Sequence, residues 1–123
     1  GVETRGDVHI ECVAQVLRGS KVFRDMKREQ LKEVARAAVG LDVPRDARLA
    51  RCGEIADCCY VVLEGALKIT KPDGSDARFL TVGSFFAESC LARAEQHLWD
   101  CFTSAPSFLL AIPTPTFSMV AAQ

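Results

Sequence analysis

The strongest constraint on the fold is a series of short β-rich segments that runs from residue 41 to residue 112 without strand–helix alternation. The segments are rich in β-branched and aromatic residues, which favour strands. They comprise residues 58–63, 67–69, 79–82 and 101–112. Residues 72–75 (Pro-Asp-Gly-Ser) predict a tight turn, because proline fixes φ and glycine accepts a positive φ. This order predicts an antiparallel β-roll or barrel with helices at its ends.

Two helices are predicted before the strands, in an N-terminal helical segment of residues 1–40. Asp7 is the expected N-cap of the first helix. Its apolar residues follow helical spacing at Ile10, Val13, Ala14 and Leu17. Gly19 and Ser20 are predicted to break it. The second helix has one apolar face made of Leu31, Val34, Ala35 and Ala38. It is expected to stop at Gly40, since glycine is favoured just beyond a helix end.

The last eleven residues, 113–123, are predicted to begin a C-terminal helix after the two prolines of this segment. Its expected docking face is Phe117, Met119 and Val120. The β-roll itself is assigned to residues 41–112, so the predicted fold class is α+β and mainly β.

Length and charge exclude several classes of protein. The chain has 123 residues and a formal net charge of −1, so it suits one domain and offers no basic field for nucleic acid. Its longest apolar runs are far shorter than the roughly 20 residues that a membrane span requires. No stretch has the pattern of a secretory signal. We therefore expect a cytoplasmic protein.

The six cysteines do not have the spacing of a metal site or a disulfide framework. There is no Cys-x-x-Cys pair, and Cys58 and Cys59 are adjacent, so on a strand they point to opposite faces. Cysteine is also a common small core residue. We expect reduced, mostly buried thiols and neither a metal nor a cofactor.

Residues 53–69 (GEIADCCYVVLEGALKI) resemble the central hairpin of cyclic-nucleotide-binding domains. The matching residues are Gly53, Glu54, Asp57, Tyr60 and Gly65. The order of elements around them is also similar, over roughly residues 22–120. The resemblance implies an antiparallel β-roll (a double-stranded jelly roll) with flanking N-terminal helices and a short C-terminal hinge helix, which moves when a ligand closes the pocket.

In that family the ligand lies against a short helix with the pattern Phe-Gly-Glu-Leu-Ala, followed nine residues after the glutamate by arginine. The N–H groups at the helix start and the arginine fork suit a cyclic phosphate, and the glutamate accepts a hydrogen bond from the ribose 2′-hydroxyl. The similar segment here, residues 85–99, is called the cassette below. The resemblance implies these candidate ligand-binding residues: Phe86, Ala87, Glu88, Ser89, His97 and Leu98.

The cassette departs from the family pattern at the positions that hold the phosphate. Ala87 stands at the glycine position, and its Cβ lies where backbone approaches the ligand. His97 stands at the arginine position, and an unperturbed imidazole, with a pKa of about 6.5, is mostly uncharged at neutral pH. Leu98 and Trp99 either stack on a base or fill the pocket, and filling is the more frequent outcome. Arg93 either replaces the missing cation or is solvated.

Cys90, His97 and Asp100 are close in sequence, and these residue types occur together in thiol enzymes. No nucleophile motif surrounds the cysteine, so no catalytic residue is predicted. We expect a regulatory or scaffold module of a larger intracellular protein, with cyclic-nucleotide binding weakened or lost. The alternative is a working sensor of cyclic AMP, cyclic GMP or an uncharged nucleoside-like ligand. The expected partner is a protein or an effector domain of the parent chain.

Overall fold

The computed structural model describes residues 1–5, 9–91, 93–114 and 120. Two α-helices, α1 (Ile10–Leu17) and α2 (Arg28–Ala37), precede most of the strands. The strands of the described residues are β1 (Glu3–Arg5), β2 (Val39–Val43), β3 (Arg48–Ala50), β4 (Cys58–Glu64), β5 (Leu67–Thr70), β6 (Arg78–Leu80), β7 (Phe85–Phe86), β8 (Asp100–Thr103) and β9 (Ser107–Pro113). A short 3-10 helix, Glu88–Leu91, follows β7. The predicted α+β, mainly β class is confirmed.

All strand pairs are antiparallel and form two sheets. One sheet has the order β1-β2-β9-β4-β7 and the other the order β3-β8-β5-β6. The long central strands β4 and β9 alternate between two cores. Val61 and Leu110 face the helices, whereas Val62 and Leu109 face the second sheet. This two-layer arrangement is the predicted antiparallel β-roll.

The expected end of the second helix at Gly40 is wrong. Helix α2 ends at Ala37, and Ala38 is already extended. Gly40 lies inside β2, where it is paired with Leu110 of β9. Strand pairing along the whole of β2 therefore overrides the local signal of the glycine.

The start of the chain contains a strand that its polar sequence does not indicate. Strand β1 pairs with β2 at the edge of the five-stranded sheet. Arg5 donates from Nε and Nη2 to the Asp42 carboxylate at 3.1 and 2.6 Å, and its guanidinium lies 3.7 Å from the centre of the Phe108 ring. Helix α1 begins at Ile10 with His9 at the N-cap. The expected cap, Asp7, lies outside the described residues.

Pro113, the expected start of the C-terminal segment, is instead the last residue of β9, where it is paired with Cys58. Beyond it the segment is described at Thr114 and Val120, which both have helical backbone geometry. Val120 is buried in the core beside the helices, and its carbonyl accepts a hydrogen bond from Gln30 Nε2 of α2 at 3.4 Å. Its role in the docking face stays a prediction. The other two residues of that face, Phe117 and Met119, lie outside the described residues. Among the helices of the described chain, none is long and apolar enough to cross a membrane.

Candidate functional site

The cassette is anchored at both ends by backbone hydrogen bonds. Strand β7 pairs with β4 through Phe86 and Tyr60. The far end of the loop lies against the segment that precedes β4. There, the N–H of Gly53 donates to the carbonyl of His97, and the N–H of His97 donates to the carbonyl of Glu54, both at 2.8 Å. The hairpin motif and the cassette, which the sequence analysis treated separately, thus form one site.

Ala87, which stands at the glycine position of the family pattern, has a left-handed backbone conformation. Its φ is +64°, in the left-handed region that favours glycine over residues with a Cβ. The residue directly after it begins the 3-10 helix, so the chain needs this conformation to turn from β7 into that helix.

A cavity of about 280 Å³ opens beside the cassette. Of the six candidate residues, the five that line it are Phe86, Ala87, Ser89, His97 and Leu98. Phe85 and Trp99 also line it, so much of the wall is aromatic. We call this cavity the cassette pocket. Its size and apolar walls are those of a small-molecule site.

The expectation that Leu98 and Trp99 fill the pocket is wrong. The cavity remains open, and Leu98 is 77% exposed. Trp99 is half-buried, and the guanidinium of Arg78 lies 5.5 Å from the centre of its ring. Both residues lie on the wall or rim of the pocket. The loop is fixed at His97 and again at Asp100, and this leaves the two intervening side chains at its edge.

His97 lies in the pocket wall with its ring stacked on Phe86. The ring centres are 5.5 Å apart and the planes differ by 15°. The position that the family fills with arginine thus holds an aromatic ring packed against another one. Such a ring offers stacking area and a polar nitrogen to a ligand, but not the charged fork of an arginine.

Glu88 does not line the pocket. Its carboxylate accepts a hydrogen bond from the hydroxyl of Ser20, which lies in the turn after α1 and is 3% exposed. From the sequence, Ser20 was predicted only to break the first helix together with Gly19. No local signal could have revealed this contact, because the two residues are 68 positions apart in the chain.

Glu95 is a pocket residue that the sequence analysis missed. It accepts hydrogen bonds from Ser89 Oγ at 2.9 Å and from Arg93 Nε at 3.3 Å. The Arg93 side chain is 82% exposed and does not line the pocket, so it is a surface partner of Glu95 and does not replace the missing cation. Among the described residues that line the pocket, Glu95 carries the only formal charge and no lysine or arginine is present.

Cys90, His97 and Asp100 have separate partners: the Cys90 thiol lies 3.6 Å from Thr114 Oγ1, and the His97 ring stacks on Phe86. Burial raises the pKa of the Cys90 thiol, which is the opposite of what a nucleophilic thiolate requires. The Asp100 carboxylate accepts from the N–H of Cys52 at 2.8 Å and lies 3.4 Å from Arg48 Nη1. Among the described residues, no group of three or more His, Cys, Asp or Glu side chains is arranged to hold a metal ion.

Comparison with known proteins identifies the class. The family model for the cyclic nucleotide-binding domain matches residues 41–123, and the chain belongs to this family. No curated protein matches it.

Three solved structures share its fold. A cyclic nucleotide-binding-like protein from Brucella abortus is 20% identical with a TM-score of 0.81, over 91% of this chain and 99% of that one. The sensor domain of the transcriptional regulator DNR from Pseudomonas aeruginosa is 19% identical with a TM-score of 0.78, over 93% and 79%. The regulatory domain of Toxoplasma gondii PKA, in complex with cAMP, is 21% identical with a TM-score of 0.78, over 94% and 46%. At these identities the likeness establishes the fold alone.

Proposed function

We propose that this chain is a regulatory or scaffold module of a larger intracellular protein, in which cyclic nucleotides bind weakly or not at all. The observation that carries the proposal is the charge of the cassette pocket. A cyclic phosphate would meet the carboxylate of Glu95 and the ring of His97, with no lysine or arginine in the described wall. An anion moved from water into such a site loses its hydration without gaining a cation.

The expected loss of affinity is large. Leaving a buried charge without its partner typically costs about 2–5 kcal/mol, or about thirtyfold to several thousandfold in affinity. The methyl group of Ala87, on the pocket wall, adds a steric effect of the same sign.

The test restores the family pattern. The double variant Ala87→Gly/His97→Arg should bind cyclic AMP or cyclic GMP at least about tenfold more tightly than the wild type in calorimetric titration. Ala87→Gly/His97→Gln is the matched control, since it shares the glycine and lacks the charge. A folded arginine variant that binds no better than the glutamine variant would contradict the proposal.

The second candidate function is sensing of an uncharged nucleoside-like ligand. The open pocket, its aromatic walls and the lack of a cation in them favour this ligand over an anion. Adenosine and guanosine should then bind the wild type more tightly than their cyclic phosphates. The reverse order of affinities would exclude this candidate.

A further inference from the structure

We propose that the Ser20 hydroxyl donates a hydrogen bond to the Glu88 carboxylate in place of a hydroxyl of the ligand. The N-terminal helical segment and a hydroxyl-bearing ligand therefore compete for one carboxylate. Since the cassette pocket is taken as the ligand site, this inference rests on the function proposed above. It makes Ser20, which lies outside the pocket, a residue that determines specificity.

The backbone of Glu88 borders the pocket, although its carboxylate does not line it. The residues on either side of it, Ala87 and Ser89, both line the cavity, and Glu88 begins the 3-10 helix between them. Its carboxylate lies instead against Ser20. The Glu88 carboxylate, which could accept a hydrogen bond from a hydroxyl of the ligand, is therefore already bonded to Ser20.

The Ser20 hydroxyl is held in the orientation that donates to Glu88. Its oxygen accepts the N–H of Val22 at 3.2 Å while its hydrogen is donated to the carboxylate, so the hydroxyl has a partner in both roles. The backbone of Ser20 is fixed as well, because its carbonyl accepts from the N–H groups of Phe23 and Arg24 at 3.2 and 2.9 Å. A hydroxyl–carboxylate bond is charge-assisted, and such bonds are stronger than neutral ones.

A second contact joins the same turn to the wall of the pocket. The ring of Phe23, which is fully buried, lies 6.4 Å from the ring of Phe85, centre to centre. Phe85 lines the pocket on its other side. If a ligand drew the Glu88 carboxylate away, the buried Ser20 hydroxyl would lose its hydrogen-bond acceptor. That loss costs free energy, and a shift of the turn after α1 would reduce the cost. Ligand binding at Glu88 and the position of the N-terminal helices are thus linked.

A double-mutant cycle tests the contact without a ligand. Melting temperatures are measured for Ser20→Ala, Glu88→Ala and the double variant. The double variant should lose clearly less than the sum of the two single losses, because both changes remove the same hydrogen bond. A parallel cycle that pairs Glu88→Ala with Ser104→Ala, in the β8–β9 turn, should be additive. Additivity in the Ser20 cycle would overturn the inference, and Glu88→Met, which has a similar shape and no oxygen acceptor, replaces Glu88→Ala if the latter does not fold.

A titration tests the competition. In the Ala87→Gly/His97→Arg background, adding Ser20→Ala should raise the affinity for cyclic AMP by about tenfold or more and that for its 2′-deoxy derivative by less than about twofold. An equal effect on both nucleotides would overturn the competition. If neither background binds a cyclic nucleotide, the account of the anion in the proposed function fails, and the double-mutant cycle still decides the role of Ser20.

Discussion

At the scale of single residues, the cassette keeps a conformation that its own sequence disfavours. Ala87 has a φ of +64°, a region that costs a residue with a Cβ about 1–2 kcal/mol. The methyl group also lies on the wall of the pocket. This residue therefore affects stability and ligand access at the same time, and the two effects can be measured separately.

Replacing Ala87 by glycine should stabilise the protein. Relief of the left-handed strain outweighs the greater freedom of glycine in the unfolded chain, so the free energy of unfolding should rise by about 0.5–1 kcal/mol and the melting temperature by a few degrees. Ala37→Gly at the end of helix α2 is the control, and it should lower the melting temperature. A loss of stability in Ala87→Gly would contradict the strained backbone at this position.

At the scale of elements, the β4–β5 hairpin turns at a glycine that has no room for a side chain. Gly65 has a φ of +90°. A Cβ at this position would lie 2.5 Å from the carbonyl oxygen of Pro106 and 2.8 Å from Cα of Ser107. Gly65 therefore occupies a tight bend, and the hairpin also packs against the start of β9.

Gly65→Val should lower the free energy of unfolding by at least about 2 kcal/mol, measured by urea denaturation. Gly74→Val is a matched control, because Gly74 has a φ of +85° in open space. The control contains the backbone strain without the clash, so it should lose clearly less stability. Equal losses in the two variants would show that the close approach to β9 contributes nothing.

The hairpin was predictable because its signal is local, whereas several other features are not local. Gly65 and the turn at residues 72–75 specify their own backbone conformation. By contrast, Gly40 resembled a helix end until its pairing with Leu110 was known. The same limit applies to the site. Five of the six candidate residues that the cassette pattern implied line the pocket, but the engagement of Glu88 by Ser20 joins two segments that meet only in the folded chain.

At the scale of the whole molecule, three of the six cysteines are part of the packed core, whereas Cys52 and Cys58 are half-buried and Cys12 is exposed. All six are free, and Cys59, Cys90 and Cys101 are buried. Burial raises the pKa of Cys58 to about 11 and that of Cys101 to about 12. It also raises the pKa of Cys59 and Tyr60, again chiefly by desolvation. The folded protein thus holds these groups in their neutral forms.

Stability should therefore fall under alkaline conditions. Above pH 9.0, the ordinary value for cysteine, the unfolded chain releases thiol protons that the folded chain retains. The stabilising effect is complete below that pH and is lost as the pH rises toward 11 and 12. Melting temperatures under reducing conditions should be level between about pH 7 and 8 and fall above about pH 9. Cys101→Ala should make the fall shallower, and a constant melting temperature up to about pH 10.5 would contradict the assignment of buried neutral thiols.

The chain has the fold of the cyclic nucleotide-binding family, and we propose that the described wall of its cassette pocket lacks an anchor for the phosphate. Calorimetric titration of the wild-type chain with cyclic AMP and cyclic GMP at neutral pH tests this claim most directly. We predict either no heat of binding or a dissociation constant of tens of micromolar or weaker, since the loss of the cation costs about 2–5 kcal/mol. A submicromolar dissociation constant for either nucleotide would contradict it, because that affinity would require a phosphate anchor that the described pocket wall, with Glu95 as its only formal charge, does not contain.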